Sequence, residues 1–91
     1  MEVDVEKAIK ILRKHGFEHK GDRGDIISEY GKKVCHENDL EILLRQPRAQ
    51  WPLLMSLPPG VHSVNGIGIQ FREDMPELLS ILFAEDSVWT L

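Results

Sequence analysis

At 91 residues, 42% hydrophobic and 29% charged, the chain is long enough for one modest core and too short for two. A net charge of −4 at that apolar content excludes intrinsic disorder. The single cysteine, Cys35, excludes an intrachain disulfide and points to a reducing compartment, since secreted domains of this size rely on such staples.

Residues 4–15 read as a helix. Asp4 caps it, and Val5, Ala8, Ile9 and Leu12 recur on one face. Gly16 stops it in a left-handed C′ position, and Phe17 falls where a Schellman motif returns a hydrophobic contact to Leu12. Gly21 to Gly24 is a turn. Residues 25–37 follow as a hairpin closed around Tyr30-Gly31-Lys32, with the core-facing choice between Ile26 and Ile27 left open. Residues 40–46 fit a short helix or a third strand. A helix is favoured because Asp39 is a good cap and Leu and Glu are helix formers.

Pro47 can open a helical turn, but Pro52 interrupts any long helix and Pro58-Pro59-Gly60 ends the segment. Asn65-Gly66 between alternating apolar residues is the clearest local signal in the chain. It predicts a two-residue type I′ turn over 61–71, with His62, Val64, Ile67, Ile69 and Phe71 on one face. Asp74-Met75-Pro76-Glu77 then starts a helix over about 75–85, with Asp74 as cap and Glu77 reaching back. Residues 87–91 could add a strand. The expected fold is a single α+β domain over 1–91. Its antiparallel sheet is built from two hairpins (about 25–37 and 61–71), with the first and last helices packed on one face.

Charge narrows the partners. Residues 73–91 carry five acids and no Lys or Arg, and no basic cluster exceeds Lys32-Lys33. Direct nucleic-acid binding is disfavoured, because phosphates demand a basic surface. The longest charge-free stretch, Ala49 to Phe71, is broken by prolines and glycines, so it makes no membrane helix. Seven charges in the first fifteen residues argue against a signal peptide, and a cytoplasmic protein is expected.

No fingerprint of catalysis, metal or cofactor binding occurs. Cys35 beside His36, with His15 and His19, offers ligand types zinc accepts. There is no second cysteine, however, and adjacent strand residues point to opposite faces. No catalytic residue, metal ligand or cofactor is assigned. Residues 46–59 are the best functional candidate, with Trp51, Leu53, Leu54, Met55 and Leu57 between prolines and Arg48 as the only charge. The competing reading has Trp51 and the leucines plugging one end of a small core. Glu73, Asp74 and Glu77 could add an acidic face for a basic partner, although early acids also suit the helix dipole.

The expectation is a small acidic protein that acts by binding another protein as an inhibitor, immunity protein or accessory subunit. The contact residues expected are Arg48, Trp51, Leu54, Met55, Glu73, Asp74 and Glu77, and a homodimer is compatible with the sequence. The alternative is a small metal- or thiol-dependent enzyme or sensor built on Cys35 and a histidine.

Overall fold

The first helix, α1 (Val5–Lys14), is closed at both ends by its own sequence. The Asp4 side chain accepts from the Lys7 amide at 3.0 Å. At the other end Phe17 N–H donates to Leu12 O and Gly16 N–H to Arg13 O, with Gly16 at φ +93°. Those two bonds define the Schellman motif, and Phe17 and Leu12 are both buried. A computed structural model describes residues 3–21 and 24–89.

Strand β1 (Glu18–His19) follows at once and pairs with β2 (Asp25–Ile27), which pairs with β3 (Lys33–His36), all antiparallel. The two-residue β1 is too short to carry a sequence pattern. Asp22 and Arg23, at the centre of the expected turn, lie outside the described residues. A register shift between Ile26 and Ile27 settles which isoleucine is core: Ile26 is buried and Ile27 only partly so. The β2–β3 loop is tied to Ser28. Its amide donates to Lys32 O at 2.7 Å, and its hydroxyl accepts from the amides of Tyr30 and Lys32.

Helix α2 (Glu37–Leu44) begins directly where β3 ends. The helical reading of 40–46 holds, but with an earlier start and a different cap. His36 Nδ1 accepts from the Asn38 amide at 3.0 Å, so Asp39 sits inside the first turn rather than before it. A 3-10 turn (Arg48–Gln50) leads into α3 (Trp51–Ser56). Pro52 does not interrupt that helix. It lies in the first turn, where its missing N–H is no loss.

The second hairpin is β4 (Gly60–Val64) and β5 (Ile67–Phe71), paired from Val64↔Ile67 to Gly60↔Phe71. Asn65 at φ 51° and Gly66 at φ 82° form the type I′ turn. Val64, Ile69 and Phe71 of the inward face are buried, whereas Ile67 on that face stands exposed at the tip. The two hairpins do not share a sheet. One belongs to the three-stranded sheet β1-β2-β3 and the other stands alone, with β5 near β3 but not bonded to it.

Helix α4 (Met75–Phe83) has Pro76 in its first turn, but the Asp74 side chain makes no capping bond, against expectation. Residues 86–89 form a 3-10 turn, not a strand, because Val88 is drawn into the core and Trp89 Nε1 donates to Leu44 O at 2.7 Å. Thr90 and Leu91 lie outside the described residues. The fold is α+β, and α1 packs on α4 as α3 does. Among the described residues no helix is long and apolar enough to cross a membrane.

Candidate partner-binding site

The Trp51 region is built as an interior. Trp51 is fully buried, stacks on Phe83 at 6.0 Å and 13°, and meets Trp89 edge-on at 5.1 Å. Its Nε1 donates to Gln46 O at 3.3 Å, so the indole is both packed and satisfied. Arg48 lies with its guanidinium carbon 4.4 Å from the Phe83 ring centre and 4.5 Å from that of Trp89. Its Nη2 donates to Phe83 O at 3.0 Å and pairs with Asp86 at 3.1 Å, and its buried Nη1 has no hydrogen-bond partner among the described residues. Asp86 opposes the helix dipole at the end of α4, and the ion pair with Arg48 accounts for it.

Expected as contact residues, Trp51 and Leu54 are therefore core, and Arg48 is committed to its own chain. Met55 is half-buried and receives the Ser80 hydroxyl at 3.6 Å. Composition alone could not separate these cases, since a small core and an interface want the same residues. Of that segment, Leu53 is presented, 66% exposed.

The histidines and the thiol are dispersed. Cys35 is buried, and that burial pushes its thiol up to about 12, leaving it protonated and a poor nucleophile. His36 caps α2, and His62 Nε2 lies 2.7 Å from Pro58 O. His19 Nε2 is 2.8 Å from Glu37 Oε1 but off the line a directed hydrogen bond requires. This pair lines an open groove of about 770 Å³ with Ile9, Lys10 and Arg13. Among the described residues no three His, Cys, Asp or Glu side chains converge as metal ligands would.

The acidic start of α4 fares differently. Glu73 and Glu77 are exposed and Asp74 half-buried. The β2–β3 loop brings Tyr30 to the same place, 79% exposed. The negative charge of Glu29, and then of Glu77 and Asp74, raises its phenol above the ordinary value. Lys32 reaches Glu73 at 4.0 Å and marks the basic border of the patch. The sequence places Tyr30 at the hairpin's closing loop but does not mark it as exposed. The signal was Ser28, whose side chain can pin a tight loop and leave the residue at its tip outside.

Comparison with protein-family models, characterised proteins and solved structures returned no match for this chain.

Proposed function

We propose that the protein acts by binding another protein, as an inhibitor, immunity protein or accessory subunit would. Its contact surface is Tyr30 together with Glu29, Asp74 and Glu77, the acids whose charge its phenol feels. The observation carrying this reading is a large aromatic held 79% exposed on a loop that four hydrogen bonds involving Ser28 keep in shape. Exposed tyrosines on ordered loops lose little entropy on docking and are enriched among interface anchors. These acids favour a basic partner, whose Lys or Arg would lie over the tyrosine face. Burial of Cys35 and its raised pKa argue against the thiol-dependent alternative.

Affinity capture from the source organism with wild type, Tyr30→Ala and Glu77→Lys tests this. A partner held by wild type should be lost about 10-fold or more in Tyr30→Ala. Glu77→Lys should weaken it too, and so should added salt. A partner held equally by all three proteins overturns the reading.

A further inference from the structure

The β4–β5 hairpin leaves one strand edge open. Val64 and Ile67 flank a two-residue turn, so they form a hydrogen-bonded pair, and the alternation makes His62↔Ile69 and Gly60↔Phe71 the next such pairs. The N–H and C=O of Val61 and Ser63 therefore point away from β5. No hydrogen bond from elsewhere in the described chain reaches them, and both side chains are exposed, Val61 at 68%. Folded proteins blunt such edges with a lysine, a proline or a bulge in the strand, and Gly-Val-His-Ser-Val contains none.

From this geometry we infer that β4 pairs with β4 of a second copy, antiparallel about a two-fold axis beside His62. Only that register uses every free edge group. It sets Val61 opposite Ser63 of the second copy and Ser63 opposite its Val61, so each facing pair exchanges two bonds and four bonds form. Shifting the pairing one way sets Ser63 against Pro59, which has no N–H. Shifting it the other way sets Val61 against Asn65, which sits in the turn at φ 51°. Charge favours a second copy here as nowhere else on a chain of net charge −4. Residues 49–71 contain no Asp, Glu, Lys or Arg, so two copies meet there without like charges opposed. Among the described residues, three of the four large exposed hydrophobic side chains, Leu53, Val61 and Ile67, also fall in that stretch. This edge is separate from the Tyr30 surface and stands without it.

Sedimentation equilibrium over ~5–500 μM, a range suited to a small interface, reads the assembly directly. Wild type should approach twice the chain mass of 10.4 kDa. Val61→Pro removes an edge donor that the hairpin itself does not use, and Ser63→Lys adds the missing edge charge. Both should keep the wild-type far-UV circular dichroism and stay at the monomer mass. If Val61→Pro fails to fold, Ser63→Lys at its exposed position decides alone. The amides of Val61 and Ser63 should exchange more slowly as concentration rises. A monomeric wild type, a folded Ser63→Lys that still dimerises, or a dimer in which those two amides stay fast would each overturn the inference.

Discussion

Cys35 lies on β3 with its thiol enclosed, and its raised pKa has a consequence for stability. In the unfolded chain the thiol ionises near its ordinary value of 9.0, whereas in the folded protein burial holds it protonated up to about 12. A folded pKa raised above the unfolded one gives stability that is complete below pH 9 and is lost as pH rises toward 12. Cys35→Ala lacks this contribution, while lysine and tyrosine titrations are common to both proteins. Urea melts at pH 7.5, 9 and 10.5 should therefore show the wild-type advantage over Cys35→Ala shrinking above pH 9. Parallel profiles would mean that the folded thiol ionises as freely as the unfolded one.

Elements whose causes are local were legible in the sequence. Helix α1 carries its stop in Gly16 and Phe17, and the second hairpin carries its turn in Asn65-Gly66, so neither depends on distant residues. Elements decided by packing were not. Residues 87–89 have strand-forming side chains, yet burying Val88 and seating Trp89 against Leu44 bends them into a 3-10 turn. Helix α2 starts two residues before Asp39, because an imidazole can accept an amide hydrogen bond where Ser or Asp is the usual cap. Gly24 is a third case, since a Cβ there would lie 1.5 Å from the Lys20 carbonyl oxygen and force the backbone apart. Gly31 has open space and only its φ of +81° to protect it. Gly31→Ala should then cost about 1–2 kcal/mol, and Gly24→Ala should exceed that, beyond about 2 kcal/mol. Denaturant melts giving the reverse order would mean the β1–β2 connection yields easily.

At the scale of the molecule, one aromatic cluster joins parts far apart in sequence. Arg48, Trp51, Phe83 and Trp89 bring the 3-10 turn before α3 against the end of α4 and the last turn, where Asp4 N–H donates to Val88 O at 3.1 Å. The segment richest in apolar residues thus serves to close the fold, and the contact surface proposed at Tyr30 draws instead on the β2–β3 loop and α4, which are distant in sequence. Trp51→Ala should cost about 3–5 kcal/mol of folding stability, as truncation of a buried aromatic does. Trp89→Ala removes the edge-on contact and the bond to Leu44 O, so it should destabilise as well. Because both variants delete the same ring pair, their combined cost should fall short of the sum by about 0.5–1.5 kcal/mol. Urea melts of the two single variants and the double variant measure this shortfall. Strict additivity would show that the two indoles contribute independently and that the cluster does not act as a unit.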